Sequence, residues 1–220
     1  MPCKDAVLGA RQKLCTREER IIMKEIKIKV YTIDELSEDA RQTALDEMDP
    51  DIVFCDGWWK PTYEFYKEKL AEVGISAEFN FRGFYSQGDG AGTYNVDVED
   101  MEKLLNVLGV TFPHKVLRDL FLEYAYIKST MRGCCYYFRD DEVDVCADVW
   151  FENRPRINHL IDEKCCELET KLDTFLDDIK AKLYQDLEEE YEYLASDEQK
   201  LELSRANDWT YREDGTFFAA

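Results

Sequence analysis

Phe81-Arg82-Gly83-Phe84-Tyr85-Ser86-Gln87-Gly88-Asp89-Gly90-Ala91-Gly92-Thr93-Tyr94 is the stretch from which the fold is read. Four of the ten glycines fall within it, with aromatic residues on both sides. Gly88, Gly90 and Gly92 alternate with Asp89 and Ala91, a pattern that lets the backbone take positive φ where a Cβ would clash. Ile75, Ala77, Phe79 and Phe81 alternate on the way in, and Tyr94, Val96 and Val98 on the way out. Together they predict a β-hairpin with a shaped polar tip.

Helices are expected on either side of this hairpin. Trp58 and Trp59 precede Pro61, which suits a helix N1 position. Tyr63, Phe65, Tyr66, Leu70 and Val73 then form an apolar stripe that Gly74 ends. Asp100 caps a helix carrying Leu104, Leu105 and Leu108, and another follows with Val116, Leu117, Leu120 and Phe121. Toward the N-terminus, Thr32 with Glu35 has capping-box spacing, and Ser37 caps a helix over 38–48 that buries Ala40, Ala44, Leu45 and Met48. Before it, Ile26, Ile28 and Val30 alternate with charged residues as a half-buried strand.

From Tyr124 to Trp150 the pattern predicts three antiparallel segments, with turns at Gly133 and at Asp140-Asp141-Glu142. Beyond Pro155, Ile161, Cys165, Leu168, Leu172, Leu176, Ile179, Leu183, Leu187, Tyr191 and Leu194 recur at three- and four-residue steps. They predict one long amphipathic helix over about 157–194. Ser196 opens a last helix to about Ala206, and Trp209, Tyr211, Phe217 and Phe218 suggest a closing strand or an aromatic tail against the sheet. The expected fold is α+β: an antiparallel sheet of five or six strands, covering helices and a long acidic C-terminal helix. Residues 1–22 are set apart as an extension and 23–220 as a single domain.

The net charge of −20 is the strongest compositional signal. It repels bare nucleic acid and anionic lipid and favours basic surfaces. Direct nucleic-acid binding is therefore not expected, whereas an acidic surface can stand in for a phosphate backbone. Residues 161–200 alone carry 14 acids against 5 bases, so 14 − 5 places nine net negative charges there. No run approaches the roughly 20 apolar residues of a membrane span. No secretory h-region precedes the eight cysteines. Their vicinal pairs lack zinc spacing, so reduced structural thiols in a cytosolic protein are expected, with no cofactor and no metal.

Four blocks resemble a family of tailed-phage and prophage proteins, often labelled "antitoxin of toxin–antitoxin stability system" or hypothetical. They are Tyr31 to Ser37, then Trp58-Trp59 with Tyr63-Glu64, then Phe81 to Ala91, and finally Leu187 to Glu198 with Glu213-Asp214-Gly215. Where that family tends to carry a histidine- and tyrosine-rich strand, this chain has Gly133-Cys134-Cys135-Tyr136-Tyr137-Phe138, and residues 1–22 look additional. The resemblance implies a phage-encoded protein of the host cytoplasm.

Two surfaces are candidates for function, and no catalytic motif appears. At the hairpin tip, Arg82, Tyr85, Ser86, Gln87 and Asp89 could orient an anion or nucleotide, although Asp89 between glycines is equally a turn residue. On the long helix, Asp177, Asp178, Asp186, Glu188, Glu189, Glu190 and Glu192 offer a partner surface or simply a solvated face. Charge and resemblance together point to a binding protein that blocks a basic, nucleic-acid-handling host protein, such as a defence nuclease or a CRISPR effector. An antitoxin that neutralises a toxin, and a small-ligand protein that uses the tip, are the alternatives.

Overall fold

The computed structural model describes residues 28–49, 56–131 and 138–218. Its longest element is α5, Pro155–Ala195, with Pro155 at the first turn. Of the ten apolar positions expected on one face, the eight from Ile161 to Leu187 are buried, and Tyr191 and Leu194 are half-buried. Their steps keep them on one face of a helix roughly 60 Å long. Leu168, Leu172, Leu183 and Leu187 are fully enclosed, and burial of each stabilises the fold by about 1.5–3 kcal/mol relative to exposure. Asn158 fixes the entry to α5: its side-chain amide accepts from Phe151 N–H and donates to Phe151 C=O, each at 3.0 Å.

Against this stripe pack two hairpins and three shorter helices. Helix α2, Lys60–Ala71, carries Pro61 in its first turn and buries Tyr66 and Leu70. Strands β2, Ile75–Arg82, and β3, Gly90–Val98, form the expected hairpin, with a register shift after Ser76. Helix α3, Met101–Val107, is capped by Asp100, whose carboxylate accepts from Lys103 N–H at 2.9 Å. Helix α4, Lys115–Tyr124, buries Leu117 and Phe121. It runs directly into β4, Ala125–Met131, which pairs with β5, Asp141–Ala147.

A second, smaller core lies at the two chain ends. Strand β1, Tyr31–Thr32, pairs with β6, Thr210–Tyr211. A 3-10 turn at Ile33–Glu35 and helix α1, Glu38–Glu47, follow β1, and helix α6, Asp197–Ala206, precedes β6. Ser37 caps α1 through Ala40 N–H, and Ser196 caps α6 through Gln199 N–H. Ile33, Leu36, Ala40, Ala44, Leu45 and Tyr211 enclose this core, with Leu201 packed on it. Arg205 and Asp34 clamp its outside at 2.6 Å.

The fold is thus mixed α and β with a long C-terminal helix, but the five- or six-stranded sheet is not formed. Among the described residues there are three two-stranded antiparallel sheets. The physical reason lies at the outer edge of β3. Asp140 accepts the Thr93 N–H and Asp141 accepts the Asn95 N–H, both at 3.2 Å, so carboxylates hold donors that a neighbouring strand would otherwise use. Asn95 itself is left-handed, φ 52°, which bends the strand where pairing would continue. The second hairpin lies beside the first and is joined to it by side chains rather than by a ladder.

Two further expectations are corrected. Asp140-Asp141-Glu142 is not a turn, because Asp141 and Glu142 already pair in β5 with Met131 and Thr130. Ile28 and Val30 form no strand and are 51% and 39% exposed. Residues 23–27 of that expected strand, the Gly133 turn with Tyr136 and Tyr137, the 1–22 extension, and Cys3, Cys15, Cys55, Cys134 and Cys135 lie outside the described residues. No helix among the described residues is long and apolar enough to cross a membrane.

Candidate interaction surface at the hairpin tip and the acidic helix

The tip folds around Asp89. Its carboxylate accepts the Ser86 N–H, and its own N–H donates to Ser86 C=O. The same carboxylate lies 2.7 Å from where a Cβ on Gly83 would sit, and Gly83 has φ 49°. A side chain there would be both strained and obstructed. Asp89 is therefore a turn former, the reading that Asp between glycines allows. Gly90 and Gly92 serve another purpose: both lie within β3 without positive φ. A Cβ on Gly92 would collide with the Arg139 carbonyl and the Phe138 ring. Its absence lets residues 138–139 lie against the strand. Asn80 then bonds the Arg139 backbone on both sides, at 2.6 and 2.8 Å.

The tip does not project alone into solvent. Phe84 sits 5.3 Å from the Tyr184 ring and 5.1 Å from the Tyr191 ring, both on α5. Tyr184 donates to the Gly83 carbonyl at 2.9 Å. Trp58 adjoins Phe81, Phe84 and Tyr191. Trp58 and Trp59 therefore pack into this aromatic cluster rather than stand as an open binding pair. Tyr184, Glu188 and Tyr191 follow at four- and three-residue steps beside the buried stripe. That spacing was the available signal that this flank of α5 receives something aromatic, and sequence reasoning missed it.

The two candidate surfaces consequently meet. Tyr85 has φ 78° and is 71% exposed, and its hydroxyl donates to Glu192 at 2.9 Å. That hydrogen bond, with burial and the negative charges of Glu192 and Glu188, pushes the phenol up to about 12. A left-handed tyrosine is uncommon and is held there by the surrounding structure. Ser86 and Gln87 are exposed at the turn, and Arg82 is exposed at the end of β2.

The seven helix acids divide by role. Asp186 accepts from the Tyr66 hydroxyl at 2.6 Å and ties α5 to α2. Burial and that bond raise the Tyr66 pKa, so the phenol stays protonated. Glu192 holds Tyr85, and Asp177 pairs with Lys180 at 2.7 Å. Glu188 is half-buried beside the tip. Glu189 is exposed and accepts from Gln185 at 2.9 Å. Asp178 and Glu190 are exposed. Of these seven, Asp178, Glu189 and Glu190 are exposed and bond to no other element among the described residues.

A polar knot lies farther along α5. Lys180 reaches Asp140 at 3.0 Å, and Arg139 grips Asp141 through two nitrogens at 2.8 Å. Asp141 is lowered by that guanidinium, against the opposing effect of burial, and the Asn95 N–H and the Ser129 hydroxyl add to the lowering. These groups hold the hairpins to α5. No group of three or more His, Cys, Asp or Glu among the described residues is arranged to hold a metal ion. His159 lies on the outer face beside Glu163 at 3.5 Å, and His114 occupies the N-cap position of α4 without a side-chain capping bond.

No curated protein and no solved structure matches the chain. One family model, described as a domain of unknown function (DUF8835), matches residues 58–197. That span runs from Trp58 through the hairpin to the end of α5 and takes in the larger core, the tip and the acidic face. The smaller core, built from the flanking chain ends, lies almost entirely outside it. Since the match covers well over half of its length, the chain belongs to the DUF8835 family.

Proposed function

We propose that the protein acts by binding, and that the outer face of α5, with the exposed edge of the hairpin tip, engages a basic protein of the kind that handles nucleic acid. The observation that carries this reading is that Asp178, Glu189 and Glu190 are exposed and make no ion pair within the described fold, on a helix whose 12 acids against 5 bases leave seven net negative charges. Tyr85 and Tyr193, 71% and 55% exposed, add aromatic surface toward the same end. Arginine-rich surfaces suit such a face, because a guanidinium can fork onto a carboxylate and stack on an aromatic ring. The resemblance to tailed-phage proteins makes a host defence nuclease or CRISPR effector the expected partner class, blocked through phosphate mimicry. An antitoxin would use the same physics on a toxin. The small-ligand reading of the tip draws less support, since Asp89 is occupied by the turn and the Tyr85 hydroxyl by Glu192.

The test is a comparison of the wild-type chain with Asp178→Lys, Glu189→Lys and Glu190→Lys combined. None of these three ties α5 to another element, so the fold should survive, as circular dichroism can check. Tagged chain is incubated with host proteins at low and at high salt, and the eluates are identified. A nucleic-acid-handling protein that elutes with salt and whose affinity falls at least tenfold in the triple variant is expected. A partner retained equally by the variant would refute the acidic-face reading.

A further inference from the structure

The smaller core carries a cavity in which the α5 face takes no part. It opens at the C-terminal end of α1 and measures about 190 Å³, below the roughly 300–1,000 Å³ of pockets that enclose a whole small molecule. Its size suits one side chain. The last segment of the chain builds its walls. Asp208 turns that segment at φ 50°, and Trp209 N–H closes on the Ser204 carbonyl at 3.0 Å. Past β6, Gly215 has φ 92°, and a Cβ there would strike the Ala40 carbonyl and Thr43. Glycine is what lets this turn rest on α1. Phe217 is thereby brought back beside Trp209 and Tyr211, with ring centroids 5.5 and 5.9 Å away at 72° and 70°. Tyr211 offers only its ring, because its hydroxyl is bonded to Ser204 at 2.8 Å. Met48 adds to the apolar lining, and Phe217 remains 50% exposed.

Charge selects the occupant. A helix C-terminus is the negative end of its dipole and favours Lys, Arg or His in the last turn. Helix α1 has no basic residue there and ends instead in Asp46-Glu47-Met48-Asp49. Lys200 meets the Leu45 carbonyl at 2.9 Å. Among the described residues no basic side chain lines the cavity, whereas Glu47 and Asp49 do. Glu47 is exposed and makes no hydrogen bond or ion pair among the described residues. Aromatic rings and carboxylates around one small cavity attract a cation with an apolar body. A guanidinium answers both, because its plane stacks on a ring while its N–H groups reach a carboxylate and helix-end carbonyls. An ammonium is a more strongly hydrated point charge and is harder to desolvate against such a wall. Free arginine is disfavoured, since its own carboxylate would meet Glu47 and Asp49 and no basic group. We infer that this cavity receives an arginine side chain presented by a partner protein, stacked against the Trp209–Phe217 wall and held by Glu47. The site lies outside the residues that the family model matches and goes beyond the binding face of α5, on which it does not depend.

Titration of the isotope-labelled full chain with capped glycyl-arginyl-glycine, followed by NMR, tests the site. The Trp209 indole N–H and the Glu47 amide should shift together and saturate in the low millimolar range, as a single side chain allows. Capped peptides carrying lysine or citrulline (the uncharged isostere of arginine) and free arginine should each bind about fivefold more weakly or worse. Glu47→Gln should weaken the arginine peptide about threefold or more while the fold survives, since this carboxylate ties no elements together. Glu47→Lys should abolish binding yet raise the unfolding temperature, because a cation then faces the negative end of α1. No shift at Trp209, or equal binding of the citrulline peptide, overturns the site. Equal affinity for the lysine peptide or for free arginine overturns the assignment to a partner's arginine. Trp209 shifts that follow protein concentration without peptide overturn it in favour of a second copy. Shifts confined to α5 overturn it too, while leaving the acidic face of α5 standing as a partner site, so the two readings fail separately.

Discussion

Replacing Lys180 with Met removes the cation that joins α5 to the corner between the two hairpins. Lys180 Nζ lies 3.0 Å from Asp140 and 2.7 Å from Asp177, and the Lys180 and Asp140 side chains are only 15% and 13% exposed. Asp140 also accepts the Thr93 N–H, which fixes it in place. Without the ammonium, its carboxylate remains enclosed and loses that ion pair. Removing one partner of a buried pair costs about 3–5 kcal/mol. The residual exposure here lowers that to about 2–3 kcal/mol. In a chain of this size 1 kcal/mol corresponds to roughly 2–4 °C, so thermal unfolding followed by circular dichroism should shift down by roughly 4–12 °C. Asp140→Asn in the Lys180→Met background should recover part of the loss, because the stranded charge is then gone. Burial works to lower the Lys180 pKa, but its bonds to Asp177 and Asp140 outweigh this and leave it raised. The stabilisation is therefore complete below the unfolded lysine value, and the difference between wild type and variant should vanish only as pH climbs through the folded one. A shift under 1 °C at pH 7, or a double variant as unstable as the sum of the singles, would refute the reasoning.

Two other expectations concern titrating groups. Asp141→Asn should destabilise the protein at pH 7, because Arg139, Asn95 N–H and the Ser129 hydroxyl all favour the carboxylate. Since the folded pKa is depressed, wild type loses this advantage as pH falls from about 4 through the folded value. Urea midpoints of the two proteins should accordingly converge in acid, and a gap that widens there would contradict the assignment. Cys166 is exposed, whereas Cys165 is buried and pushed up to about 11 by that burial and by nearby acidic charge. Iodoacetamide at pH 8 should therefore label Cys166 well before Cys165 in the native protein, as peptide mass spectrometry can show, and equal rates would indicate that α5 is not seated as described.

The parts of the fold that could be read from the chain are those set by neighbours close in sequence. The three- and four-residue recurrence from Ile161 to Leu187 specifies a helix with one buried face, because both properties depend only on 3.6-residue periodicity. Ser37, Asp100 and Ser196 cap where their spacing predicts, since a cap joins residues only three apart. The strands around the glycine stretch follow from alternation and turn chemistry in the same way. Expectation and structure part at Asp140 and Asp141. Two acids before a β-branched run suggest a turn, but whether their carboxylates meet solvent or the N–H groups of Thr93 and Asn95 depends on a strand more than forty residues away.

The candidate site shows the same division. Seven acids of α5 and five residues of the tip were visible as candidates, but not which of them are already engaged. Tyr85 meets Glu192 across 107 residues and Tyr66 meets Asp186 across 120. Such pairings depend on how the hairpin and α2 seat against α5, through the packing of Phe84, Trp58, Tyr184 and Tyr191. The sequence by itself determined the helices, the hairpin at the glycine stretch and the sign of the charge, because these depend on residue type and short-range spacing. Only the tertiary structure decided that the sheet stops at β3, that the tip rests on the acidic helix, and that Asp178, Glu189 and Glu190 are exposed without a bond to another element. Those outcomes turn on which polar groups find partners when distant segments are brought into contact.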